Sequence, residues 1–241
     1  MIPQNTSKKP LFDQFANEYD SALAQGLSVS GEDKQYFAEG RIDWLARALK
    51  QLGHTPRKAM DFGCGTGSAT PLFFQTLGVS SLVGVDSSAK SIEIASATHS
   101  SDKARFYRFS EYAPSGEVDL VFCNGVFHHI PPPDRPEALD YIFRTLRSGA
   151  LFSFWENNPW NPGTRYVMRR IPFDRNAITL SPPAARRLLR EHGFKVLRTD
   201  FLFFFPRFLA LLRPFESRLA RLPLGAQYQI ICQKPDDGGV E

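Results

Sequence analysis

Cysteine is scarce in this chain. Cys64, Cys123 and Cys232 are three in 241 residues, and they lie far apart. That excludes a disulfide framework or a cysteine-built zinc site and fits small core residues in a reducing compartment. Long hydrophobic runs are missing too. The greasiest stretch, Phe201 to Leu212, is too short to span a bilayer and is broken by Pro206 and Arg207. Met1 to Pro10 is polar and has no apolar core of a secretion signal. These absences predict a cytoplasmic protein. There is no internal repeat, and no low-complexity segment apart from a short tail. What remains is ordinary globular composition, 42% hydrophobic and 22% charged. The length suits one domain with an insertion or two rather than two independent domains. A net charge of +4, mostly from arginine, permits anionic partners without demanding nucleic acid.

The most informative stretch is Met60-Asp-Phe-Gly-Cys-Gly-Thr-Gly67. Ala59 to Phe62 reads as a buried strand and Ser68 to Leu77 as a helix, with glycines between them. Such a turn brings bare backbone close to a ligand and aims helix N–H groups at it. The spacing is tighter than G-x-G-x-x-G of nicotinamide enzymes, and the G-K-[ST] ending of a phosphate-binding loop is missing. Asp61, ahead of the first glycine, is wrong for a pyrophosphate and suits a ligand that carries an ammonium group.

D-x-G-x-G-x-G after a first strand resembles motif I of the class I S-adenosylmethionine (SAM)-dependent methyltransferases. The resemblance implies that Asp61, Gly63, Cys64, Gly65 and Gly67 border the methionine part of SAM. Ser81 to Asp86 then reads as a buried parallel strand ending in an acid. Asp86 lies roughly twenty residues past the turn, where doubly wound folds place an acid on a ribose. The family has its ribose-binding acid there, and Ser87 follows it. Arg105 to Phe109 is read as the third strand. By resemblance Ser110 and Glu111, just beyond it, are candidates for the adenine edge, although the plainer aspartate often found there is absent.

Val118 to Cys123 is the fourth strand and runs into Asn124-Gly-Val-Phe-His-His-Ile-Pro131, which resembles the family's motif II. That places Asn124, Gly125 and Val126 beside the cofactor and His128 and His129 near the methyl-transfer centre. A neutral imidazole can take a proton from an acceptor hydroxyl. A zinc reading of the histidines is poor because no third ligand has suitable spacing, so no metal is expected. Phe12 to Asp20 resembles the family's F-D-x-x-A-x-x-Y-D lid, which makes Tyr19 a further active-site candidate. The alternative there is a plain amphipathic helix docking on the core. Ser30-Gly31-Glu32-Asp33 reads as a helix N-cap, with Ser30 as the cap and an acid at the third position, and the long helix after it carries an apolar stripe through Leu52 and stops at Gly53.

A helix over Asp134 to Leu146 is expected to stop at Gly149, and Ala150 to Trp155 is read as the fifth strand. After it comes an irregular proline-rich insert offering Glu156, Asn157, Asn158, Trp160, Arg165 and Tyr166. In the family such an insert walls the acceptor pocket. Arginine forks suit carboxylate or phosphate, so Arg165 with a neighbour is a candidate for an anionic acceptor. Ser181 to His192 reads as a helix, Phe194 to Phe203 as the sixth strand and Gln227 to Gln233 as the last. Between these strands, Phe208, Leu212, Phe215, Leu219 and Leu222 make a helical stripe that Pro214 kinks or splits. The segment 201–222 either covers the sheet, lines a pocket for a lipid-like or aromatic acceptor, or rests on a membrane surface.

The expected architecture is therefore α/β: a Rossmann-like, doubly wound seven-stranded sheet with an antiparallel last strand. One domain spans 1–241, with an N-terminal helical lid (1–55), a cofactor core (56–156), an acceptor side (157–222) and a last strand and tail (223–241). The resemblance implies methyl transfer from SAM, with S-adenosyl-L-homocysteine as product, to a small-molecule acceptor. Oxygen is the preferred atom because of the histidines, and the acceptor is read as anionic or lipid-like. No nucleic-acid partner is expected, and the chain is read as a monomer or homodimer. A methyltransferase acting on RNA or protein, or a non-catalytic SAM-binding protein, are the alternatives.

Overall fold

The computed structural model describes residues 26–175 and 177–236. Tyr19 and the Phe12 to Asp20 segment lie outside the described residues. Seven strands form one sheet: β1 (Lys58–Phe62), β2 (Ser81–Asp86), β3 (Ala104–Arg108), β4 (Val118–Asn124), β5 (Leu146–Asn157), β6 (Lys195–Leu202) and β7 (Gln227–Gln233). Their order is β3-β2-β1-β4-β5-β7-β6, and β7 alone runs antiparallel to its neighbours. The doubly wound sheet with an antiparallel last strand is as the sequence implied.

Burial on both faces explains why the central strands read as continuous apolar runs. Alternate residues feed opposite layers. Met60, Phe62, Val121, Cys123, Phe152 and Phe154 join one core, while Ala59, Leu120, Phe122, Leu151 and Trp155 join the other. Helices α4 (Arg135–Thr145) and α6 (Pro182–Glu191) cover the first. Helices α1 (Lys34–Gln51) and α2 (Thr70–Gln75) cover the second. Helix α3 (Ala89–His99) packs on β2 and β3. The three cysteines are free, and Cys123 and Cys232 are buried in the sheet. No described helix is long and apolar enough to cross a membrane.

Several boundaries differ from expectation, for local reasons. The cap of α1 is Asp33, whose side chain accepts from the Tyr36 N–H at 2.8 Å, not Ser30. Gly149 does not stop a helix. It lies inside β5, where its N–H donates to the Lys234 carbonyl at 3.0 Å, so the strand begins at Leu146. The insert after β5 is not irregular. Asn161 accepts from the Thr164 N–H at 2.9 Å and starts helix α5 (Pro162–Arg170). Of the three readings left open for segment 201–222, the structure departs from the helical stripe that covers the sheet. Arg207–Phe215 is a 3-10 stretch followed by the short α7 (Glu216–Leu219), and neither buries a residue.

Candidate active site

The C-terminal ends of β1, β2, β4 and β5 meet at one edge, the place where open α/β sheets gather ligands. At β1 the chain turns through glycine. Gly63 has φ of 77°, and a Cβ there would lie 2.3 Å from the Val126 side chain. The turn can therefore press against the end of β4 only with glycine. A Cβ on Gly65 would meet nothing within 4 Å, so bare backbone faces open space there. Asp86 ties this turn to β2, accepting from the N–H of Gly65 at 2.9 Å and of Ser88 at 2.9 Å.

Asp61 is buried at the end of β1. Burial, and then the charge of Asp86, pushes its carboxyl up to about 7, while Arg41 pulls the other way. A cation placed beside it would relieve that penalty, as an ammonium group does. The buried acid, the open backbone at Gly65 and the acid on β2 thus suit the amino-acid end and ribose of SAM.

A cavity of about 500 Å³ adjoins this edge, with Asn124, Gly125 and Asn157 at the strand ends. Its walls are mostly apolar and include Phe37, Val167, Met168, Ile171, Phe173 and Phe203 to Phe205. Buried His128 and Asp174 and the half-buried His129 form a polar part of its wall. His128 Nδ1 lies 2.6 Å from Glu156 Oε2, and the Glu156 carboxylate also accepts the His128 backbone N–H at 3.3 Å. On its other side, His128 Nε2 lies 3.5 Å from Asp174 Oδ1, and His129 Nε2 lies 3.2 Å from the same oxygen. Burial alone would lower the His128 pKa, but the two carboxylates outweigh it and raise the ring to about 10. His128 is therefore an imidazolium, not a base. His129 shifts down, first by burial and further by the neighbouring His128 charge, against the pull of Asp174. It is the neutral imidazole of the pair. Asp174 stays ionised because both rings offset its burial.

The sites expected from sequence separate into two groups. Asp61, Gly63, Gly65, Gly67, Asp86, Asn124, Gly125, Val126, His128, His129 and Asn157 converge on this edge or cavity. Cys64 sits in the turn itself, and Glu156 stands behind His128. Ser87 and Ser110 are exposed, and Glu111 is exposed and spends its carboxylate on Arg108 at 2.8 Å. Trp160, Arg165 and Tyr166 are exposed and lie outside the cavity lining. Helix periodicity is the reason. Thr164, Val167, Met168 and Ile171 take the inward face, which leaves Arg165, Tyr166, Arg169 and Arg170 on the outer one. Arg170 instead stacks on Tyr166.

Sequence reasoning missed Asp174, which no motif marks. A short 3-10 turn, Pro172–Asp174, carries it back under the histidines. Its arrival also corrects the argument that no third ligand is available. His128, His129 and Asp174 present donor atoms that all lie within 4.8 Å of one another.

Residues 33–199 match a family described as a methyltransferase domain. A trans-aconitate 2-methyltransferase of Azoarcus sp. strain BH72 is 30% identical over 147 residues, covering 58% of this chain and 56% of that protein. A carboxy-S-adenosyl-L-methionine synthase of Campylobacter lari is 27% identical over 151 residues, covering 60% of this chain and 62% of that protein. The matched stretches thus span less than two thirds of these relatives. Among solved structures, a SAM-dependent methyltransferase from Archaeoglobus fulgidus superposes with a TM-score of 0.59 at 16% identity, covering 84% of this chain and 100% of that one.

Proposed function

The chain belongs to the class I SAM-dependent methyltransferase family, and from that premise we propose that it methylates an oxygen atom of an apolar small molecule. SAM, when bound, supplies a methyl group activated by a sulfonium. The chain's own residues bind, orient and move a proton. Asp61 would take the ammonium group of SAM, the Gly63 to Gly67 backbone would border its methionine part, and Asp86 would accept from its ribose hydroxyls. The acceptor occupies the adjoining cavity, where Phe37, Phe203 and Phe204 give it an apolar wall to lie against.

His129 takes the acceptor's proton as the methyl group arrives. Asp174 orients His129 through Nε2 and steadies the charge that forms. His128, held as an imidazolium between Glu156 and Asp174, keeps Asp174 ionised for that task. The observation that carries the reading is this one wall: a histidine pair on a shared carboxylate, inside an apolar cavity, at the end of β4.

The lining also separates the acceptor from that of the trans-aconitate relatives. Its cations are Lys34, Arg41 and His128; Arg41 is already engaged by Gln227 at 3.0 Å and His128 is held between Glu156 and Asp174. A tricarboxylate would leave charge buried against apolar walls, which costs more than an uncharged acceptor would. Transfer of labelled methyl from SAM should favour apolar alcohols and phenols over trans-aconitate. His129→Gln should lower kcat by about 100-fold or more while SAM affinity stays within about twofold. An unchanged kcat would remove His129 as the base.

A divalent cation is the second reading, favoured by the three donor atoms around Asp174. Loss of turnover on chelation, with SAM affinity intact and turnover restored by added zinc, would select it.

A further inference from the structure

Segment 205–224 inverts the usual order of burial. Phe208 is 81% exposed and Leu211 94%, and Leu212, Phe215, Leu222 and Leu224 are exposed with them. Its polar groups face the protein instead. Glu216 accepts from the backbone N–H of Phe204 at 3.1 Å and of Phe205 at 3.0 Å. Arg213 donates to the Phe205 carbonyl at 3.2 Å and pairs with Glu32 at 2.7 Å. Arg221 donates to the Thr199 carbonyl at 3.1 Å. The chain enters through Phe203, held at φ of 63° with its ring against Gly40 of α1. A left-handed aromatic persists only where its surroundings fix it. This is a braced platform that holds apolar side chains outward.

So many exposed leucine and phenylalanine side chains in one short segment mark a surface that something covers. Two features say what. The first is charge. Arg207 and Arg218 are exposed along the segment, while its one acid, Glu216, is turned inward. The second is position. Pro206 and Phe208 belong both to this face and to the rim of the apolar cavity.

We propose that segment 205–224 docks on an anionic lipid surface, and that the acceptor enters the cavity from that surface. Leucine and phenylalanine reach the acyl boundary while the arginines meet headgroup phosphates. A second copy of the chain fits less well, because a two-fold contact would set like arginines against one another. The docking stands on the surface alone. The entry route rests on the reading of the cavity as the acceptor site.

The test is co-sedimentation of the full chain with vesicles of phosphatidylcholine, alone or with phosphatidylglycerol. Wild type is run beside Leu211→Ser and Arg218→Glu, with calorimetric SAM titration and sedimentation velocity on the same preparations. Wild type should pellet with the anionic vesicles, remain free with the neutral ones, and be released by high salt. Leu211→Ser should weaken that binding about tenfold, the effect of losing one buried leucine. Arg218→Glu should weaken binding to anionic vesicles most. Both variants should bind SAM as wild type does, since neither residue lines the cavity. Wild type left in the supernatant with anionic vesicles would overturn the proposal. So would a dimer in solution that Leu211→Ser dissociates, because the second copy would then be the cover. Docking without SAM binding would support the surface and sink the methyl-transfer reading instead.

Discussion

Asp61 serves two opposed demands. Its folded pKa of about 7 stands above the ordinary carboxylate value, so the folded state holds the proton more tightly than the unfolded chain. Its contribution to stability is full below about pH 4 and is lost as the pH rises through about 7. Asp61→Asn should therefore stabilise the ligand-free protein at pH 8, by on the order of 1–3 kcal/mol, and change little at pH 4. Urea denaturation at the two pH values checks this, and an equal effect at both would refute it. The ionised form is the one that accepts an ammonium group. SAM affinity of the wild type should accordingly fall towards acid by up to about tenfold per unit below pH 7. Asp61 and Asp86 were legible because each sits beside a local pattern, a glycine turn or a strand end. Asp174 was not, because nothing local distinguishes it from any surface aspartate. Only the fold brings it under His128 and His129.

Elements with a buried face on both sides, such as β1, β4 and β7, could be read from their apolar runs alone. Two others were less legible. The insert helix α5 was hidden by prolines, although Pro162 at its first turn is a helix-compatible position. Once the helix is seen, its faces predict function. Val167→Trp should raise the acceptor KM at least tenfold by filling the cavity, with SAM affinity unchanged. Arg165→Ala, on the outer face, should leave both constants within about twofold. Steady-state kinetics on the two variants decide it, and the opposite ranking would return the acceptor's recognition to the arginines. The stripe from Phe208 to Leu222 was ambiguous for a different reason. Helical spacing of apolar residues signals a face to be covered, and does not say whether the protein's own sheet lies on the other side. Here it does not, and Pro214 with the non-helical Leu209 leaves the segment in 3-10 turns.

At the scale of the molecule, the sheet order puts the ends of β1, β2, β4 and β5 on one edge, with acids on the first two and the histidine wall beyond the others. The glycine turn and the cavity wall therefore come from distant parts of the chain, and their meeting depends on the sheet. The glycine turn, Asp86 and the end of β4 were legible because each is a short local pattern at the end of a strand. The cavity was less so, because its walls are apolar side chains that look like core in sequence. The most direct test is calorimetric titration with SAM and with S-adenosyl-L-homocysteine, wild type beside Asp86→Ala. We expect saturable one-site binding of both ligands, weakened at least tenfold by the substitution, which removes charged acceptors worth about 1.5–3 kcal/mol. Folded wild-type protein that binds neither ligand would contradict the account.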